Sequence, residues 1–177
     1  IHQWTNIPLA IIGRVDKNDG TTVQINIGMD ENDPVFVIPE VSPHTDRGFR
    51  NKTVGEHLKA EDMDPVVAHI PGPDGDVSNQ VEQFLKSNYG ITRGDLVSAE
   101  LALVPAMKSR DMGFDRSMVA AYGHDDRLAG YADIRAILDI GTPTKTAIAH
   151  LVDNEEVGNV NNTGAKSQYF SNLVSRL

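Results

Sequence analysis

Two short strings concentrate acid where a chain could use it. His124-Asp125-Asp126-Arg127 follows the apolar run Met118-Val-Ala-Ala121, and Asp153-Asn154-Glu155-Glu156 follows the longer run Thr146-Ala-Ile-Ala-His-Leu-Val152. In open α/β sheets, functional residues gather beyond the carboxyl ends of strands, and both strings stand in such positions. Carboxylates brought into one cleft repel each other, so they require protons or a cation. A pair of divalent metals would satisfy them, one carboxylate bridging and others terminal. A neighbouring free carboxylate could then take a proton from the attacking water. In a chain with 25 acidic and 16 basic residues, two solvated acidic turns are the competing explanation.

The elements that must position these strings differ between the two halves of the chain. Leu9–Val15 and Thr21–Ile27 flank Asn18-Asp19-Gly20, whose Asp-Gly step suits a tight hairpin turn. Val23, Ile25 and Ile27 alternate on one face. Pro34–Ile38 reads as a further short strand and Thr53-Val-Gly-Glu56 as a capping box. Val66–His69 reads as a short strand. A helix is expected from a cap at Asp76 or Ser78 to a stop at Gly90, with Val77, Val81, Phe84 and Leu85 as its apolar stripe. Ile91 and Leu96–Val104 read as strand, ended by Pro105.

The character changes near residue 105. A helical pattern runs from Leu128 to Leu138, Gly141-Thr-Pro143 breaks it, and residues 146–152 read as a strand buried on both faces of a mostly parallel sheet. A last helix follows Thr163. The expected architecture is α+β overall: a β-rich domain with one helix over residues 1–105, then part of an α/β domain over residues 106–177.

Composition narrows the function classes. A net charge of -9 with no basic stripe argues against nucleic acid as a partner. The absence of cysteine removes disulfides, thiolate zinc ligands and thiol catalysis, and is compatible with a cytoplasmic setting. No apolar run reaches the roughly 20 residues of a membrane span, and no signal-peptide pattern opens the chain. Ile1 in place of a methionine, and a last helix without a stop signal, read as ends cut from something longer.

The strings themselves carry a resemblance. Val119-Ala-Ala-Tyr-Gly-His-Asp-Asp-Arg-Leu-Ala-Gly-Tyr131, Leu151-Val-Asp-Asn-Glu-Glu-Val-Gly158 and Asn162-Thr-Gly-Ala165 closely resemble the M18 metallopeptidase family, of aspartyl aminopeptidase-like zinc enzymes. Trp4, Leu9, Ile12-Gly-Arg-Val15, Val37-Ile-Pro39, His44 and Glu100–Ala106 resemble that family's dimerisation domain. The resemblance covers nearly the whole chain.

It implies a β-rich dimerisation domain followed by part of an α/β/α zinc-peptidase domain. Asp125 would bridge two zinc ions, and Asp126 would follow it across a cis peptide. Glu155 would be the general base and Glu156 a terminal zinc ligand. His44 would reach into a partner subunit's active site and bind peptide substrate, although Pro43 departs from the usual local string. His124, Arg127 and Asp153 would support the acidic loops, and His150 would be a core histidine. The remaining ligands, a histidine before Ile1 and an aspartate and a histidine after Leu177, lie outside the chain. The resemblance therefore implies weak or no zinc binding and no appreciable peptidase activity for these residues alone. It also implies a homo-dimer or larger, and a dodecameric parent that releases N-terminal, acidic residues from peptides. A reading from another class stays open: a structural or oligomerisation domain without catalysis.

Overall fold

The computed structural model describes residues 4–42, 44, 45, 48, 51–57 and 59–177; the side chains of residues 54, 57 and 60 are outside the description. Ile1 and Pro43, which figure in the sequence reading, are likewise outside it. The chain divides into two compact units, Ile1–Tyr122 and Gly123–Leu177.

The first unit is built on a three-stranded antiparallel sheet in the order β2-β1-β3. β1 (Leu9–Asp16) and β2 (Thr22–Ile27) form the expected hairpin, with Val15 opposite Val23 and Ile11 opposite Ile27. The turn closes through Lys17 N–H to Thr21 O at 2.8 Å and Gly20 N–H to Lys17 O at 2.9 Å. Strand alternation directs Ile25 and Ile27 inward, where they join Leu9, Val15, Phe36, Ile38 and Ile91 in the core. Each such side chain contributes roughly 1.5–3 kcal/mol on burial.

The expected strands at 34–38 and 66–69 are reduced to single bridges: Leu9 to Phe36, Thr5 to Ile38 and Val37 to Val66. At Thr53, half of the predicted box forms: the Thr53 amide donates to the Glu56 carboxylate at 3.1 Å, while the Thr53 hydroxyl donates to the same carboxylate at 2.7 Å, opening the one-turn α1 (Val54–His57). The next helix, α2 (Val77–Tyr89), has the ends that the sequence specifies. Asp76 accepts from Ser78 N–H at 2.8 Å, and past Gly90 the Ile91 amide reaches back to Leu85 O at 3.3 Å. Its apolar stripe is only partly covered, and an apolar groove of about 540 Å³ lies between Val81, Phe84 and Leu85 and the sheet residues Val15, Ile25 and Ile27.

β3 (Ala99–Pro105) is shorter than expected, because Asp95–Ser98 winds into a 3-10 turn. Asp95 causes this. Its carboxylate accepts from the Thr92 amide at 2.9 Å and hydroxyl at 2.6 Å, and from the Asn18 amide at 3.2 Å, while only 6% exposed. It thereby ties the β1–β2 turn to the approach of β3. A short hairpin that the sequence reading did not resolve, β4 (Arg110–Met112) with β5 (Met118–Ala120), completes the unit.

The second unit departs from expectation. Its main helix, α3 (His124–Asp139), is kinked at Asp125 and Asp126 and regular from Arg127, next to the predicted start at Leu128, and a shorter α4 (Gln168–Val174) follows. Residues 146–152 form no strand, and the regular pairing described here is a single parallel bridge from Asp153 to Gly164. A strand exists only through its neighbours' hydrogen bonds, and no neighbouring strand is available among the described residues. Ile148 and Leu151 are accordingly half exposed, and every buried hydrophobic side chain among the described residues belongs to the first unit. His150, expected in the core, instead lies exposed with its ring stacked on Phe170, centroids 4.0 Å apart.

The Asp95 joint generates a pH-dependent expectation. The Thr92 hydroxyl and amide, then the Asn18 amide, hold the Asp95 carboxyl below its ordinary range. A carboxyl lowered in the folded state stabilises fully above the unfolded value, about 3.9. That stabilisation disappears as pH falls through the lower native value. Asp95→Ala is expected to lower the thermal midpoint by several degrees at pH 7, with the gap to the parent narrowing below about pH 4. A gap that ignores pH in thermal melts would show that the carboxylate's charge is not the source.

Candidate active site

Asp125 and Asp126 occupy the first turn of α3, where the backbone is not yet helical. Asp125 has φ -88° and ψ 110°, Asp126 has φ -119° and ψ 26°, and the peptide between them is cis. Arg127 regains the helical path, its amide donating to Gly123 O at 3.3 Å. His124, Asp125, Asp126 and Arg127 are all exposed.

The second acidic string is held from behind. The Asp153 amide donates to Thr163 O at 3.0 Å, and the Asp153 carboxylate accepts from the Asn154 amide at 2.8 Å. Asn154 takes a left-handed conformation, φ 59°, and so turns the chain into the 3-10 turn Glu155–Val157. Asparagine is among the few residues that adopt this conformation readily. The turn closes as the Asn159 amide donates to Asn154 O at 2.8 Å. Glu155 and Glu156 point from its exposed first residues.

What presses this loop into shape is Gly164. A β-carbon there would stand 2.5 Å from the Asn159 carbonyl oxygen, closer than any real contact. Lys166 N–H to Asn159 O at 3.2 Å and Ser167 N–H to Gly164 O at 3.0 Å complete the clamp. Sequence reasoning passed over Asn154 and Asn159. Both have φ 59°, and the signal was the run Asn154, Asn159, Asn161, Asn162 flanking two glycines.

His44 belongs to the first unit. It is exposed in a turn where the Thr45 amide and hydroxyl both donate to Ser42 O, at 2.9 and 2.8 Å. The Ser42 hydroxyl lies 3.4 and 3.3 Å from its two ring nitrogens.

Asp125 and Glu156 offer carboxylate oxygens, donors that zinc accepts. Among the described residues, no three His, Cys, Asp or Glu side chains converge on one point. The two carboxylates are donors of a type that zinc accepts, and among the described residues they belong to no group of three such side chains.

Comparison with known proteins identifies the family. The sequence matches the Peptidase_M18 family, described as aminopeptidase I zinc metalloprotease (M18), over residues 1–177. The chain belongs to the M18 family. It is 42% identical over 178 residues to "Probable M18 family aminopeptidase 1" of Clostridium acetobutylicum, which covers 98% of this chain and 38% of that protein. Its similarity to the protein of the same description from Thermotoga maritima is 40% over 179 residues, 99% of this chain and 39% of the other. Among solved M18 structures, the T. maritima aminopeptidase superposes with a TM-score of 0.78 at 39% identity, covering 97% of this chain and 38% of that one. Aminopeptidase I of C. acetobutylicum gives 0.76 at 41%, covering 98% and 39%. The Saccharomyces cerevisiae mApe1 dodecamer shares the fold, with a TM-score of 0.57 at 21% identity. The chain thus spans about two fifths of the length of the M18 relatives it matches.

The clamp predicts that Gly164→Ala displaces Asn159 and loosens the loop that carries Glu155 and Glu156. A forced contact of this kind typically destabilises by about 1–3 kcal/mol. Hydrogen exchange should show lost protection at the Asp153 and Asn159 amides, with the β1–β2 hairpin unaffected. Unchanged protection at both amides would remove Gly164 as the shaping residue.

Proposed function

We propose that this chain is part of a zinc-dependent aminopeptidase that releases N-terminal residues, acidic ones among them, from peptides. The observation that carries the reading is the M18 match over residues 1–177, with both acidic strings intact. Asp125 and Glu156 are the residues that would hold zinc through their carboxylates. When bound, the zinc pair supplies Lewis acidity to the scissile carbonyl and the attacking water.

The chain's own residues do the rest. Glu155 takes a proton from the attacking water and delivers it to the leaving amine. Its position beside a ligating neighbour separates the two tasks: Glu156 stays ionised against the cation while Glu155 is free to change protonation. Asp153 and Asn154 fix the direction of the pair through the loop bonds described above. Asp126, His124 and Arg127 hold the segment around Asp125. His44, carried by the first unit, binds substrate in a partner subunit's site.

Assembly follows from the same reading. Residues 1–105 form a dimerisation domain and residues 106–177 part of the catalytic domain, in a homo-dimer or larger and a dodecameric parent. The exposed apolar residues of the second unit, Leu128, Tyr131 and Leu138 among them, support a need for further covering chain. The reading places the parent in the cytoplasm. It also makes this chain alone a weak zinc binder without appreciable activity.

A second reading, a structural or oligomerisation role without catalysis, draws on one observation: the buried core and the three-stranded sheet both lie in the first unit.

Two measurements separate the readings. Zinc-dependent hydrolysis of aspartyl, glutamyl and leucyl amides by the full-length protein should fall by about 10²–10⁴-fold in Glu155→Gln with zinc retained. Equal activity would take Glu155 out of the mechanism, and no activity on any amide would favour the structural role. Calorimetric titration of the 177-residue chain with zinc should give no tight two-ion site. Two tightly bound ions would overturn the incomplete ligand set.

A further inference from the structure

Ahead of β1, the chain pairs with the segment that leads to His44, and the pairing outlasts the backbone that should sustain it. Thr5 bridges Ile38 in parallel, and the Asn6 amide donates to Ile38 O at 3.0 Å. The ladder ought to stop there, because the next residue, Pro39, has no N–H to give. Asn6 continues it with its side chain. Its carboxamide oxygen accepts from the Glu40 amide at 3.0 Å, and its carboxamide nitrogen donates to Glu40 O at 3.3 Å. A carboxamide carries one donor and one acceptor side by side, so it can replace a peptide group in such a pair. The Thr5 hydroxyl then donates to the Glu40 carboxylate at 2.6 Å. Glu40 is held at its amide, its carbonyl and its side chain.

This arrangement is not a relaxed one. Trp4 and Asn6 both sit at positive φ, 65° and 57°. For a bulky residue such as Trp4, that conformation is an outlier that surrounding contacts must sustain. The Trp4 ring meets Tyr122 edge-on, centroids 6.0 Å apart. One residue, Val41, separates Glu40 from the Ser42–Thr45 turn that presents His44.

We propose that Thr5 and Asn6 are positioning residues: by clamping Glu40 they fix the base of the turn that carries His44, and so set how that histidine is presented to substrate. The proposal rests on the reading of His44 as a substrate-binding residue. The clamp and the turn do different work. The bonds within Ser42–Thr45 shape the turn, whereas the clamp anchors it to the sheet.

Two arms test it. In the 177-residue chain, Asn6→Ala and Thr5→Val should raise amide exchange at Glu40 and Thr45 about five- to tenfold, the effect of losing one or two hydrogen bonds. The β1–β2 amides should keep their protection, and Thr5→Ser, which retains the hydroxyl, should restore the parent's exchange. In the full-length enzyme, Asn6→Ala should raise KM several-fold with kcat held, and should add nothing further on a His44→Ala background. Unchanged exchange at Glu40 and Thr45, or equal loosening of the whole sheet, would overturn the clamp. Effects of Asn6→Ala and His44→Ala that simply add would overturn its link to substrate binding. Absence of hydrolysis by the unsubstituted enzyme would instead overturn the peptidase reading, and the exchange arm would still decide whether the clamp holds the turn.

Discussion

β1 is hydrogen-bonded along both edges, Leu9 to Val15 against β3 and Ile11 to Asp16 against β2. At Gly13 it approaches β3 so closely that a β-carbon would lie 2.0 Å from the Glu100 carbonyl oxygen. Leu9, Ala10 and Val15 are fully buried in consequence. Both other strands of the three-stranded sheet pair with this one. Its forward end turns at Asn18, where Asp95 grips it. Its rear end runs back through Asn6 and Thr5 to the clamp on Glu40. A central strand paired on both sides is the element that a small sheet can least easily rearrange, since moving it breaks two ladders together.

The second unit shows the opposite condition. Its Glu155-Glu156 pair is presented by a short loop whose order comes from backbone bonds and a tight glycine contact, not from a packed interior. Asn154, Asn159 and Gly164 shape the Glu155-Glu156 turn within about a dozen residues of chain. Such a loop can be well formed locally while the carboxylates it carries remain apart from the donors needed to complete a metal site. Local shape and long-range convergence are separate achievements, and the described residues contain the first.

That distinction also governs how much was legible in the sequence. The hairpin at Asn18-Asp19-Gly20, the box at Thr53–Glu56 and the helix from Asp76 to Gly90 were all readable, because each is specified by residues within one or two turns of chain. The strand expected at 146–152 was not realised. Its apolar run is right for a buried strand, but a strand requires partners that no local pattern supplies. The 3-10 turn at Asp95–Ser98 was missed for a related reason: Thr92 and Asp95 make a local bond whose effect depends on Asn18, 77 residues away. The β4–β5 hairpin had a usable signal in Gly113-Phe-Asp115, where Asp115 accepts from Ser117, yet its strands are only three residues long. The acidic strings were located from residue type. Their roles came from the M18 resemblance, and the sequence held no indication of the Asn6–Glu40 pairing.

The contact between Trp4 and Tyr122 has an architectural meaning. It brings the two ends of the first unit together, so that a folded body of more than a hundred residues spans no more than a gap between neighbouring rings. A body closed in this way can be spliced into a surface loop of a host with little loss of chain entropy, and its own folding need not wait for the host. The first unit is portable in that sense.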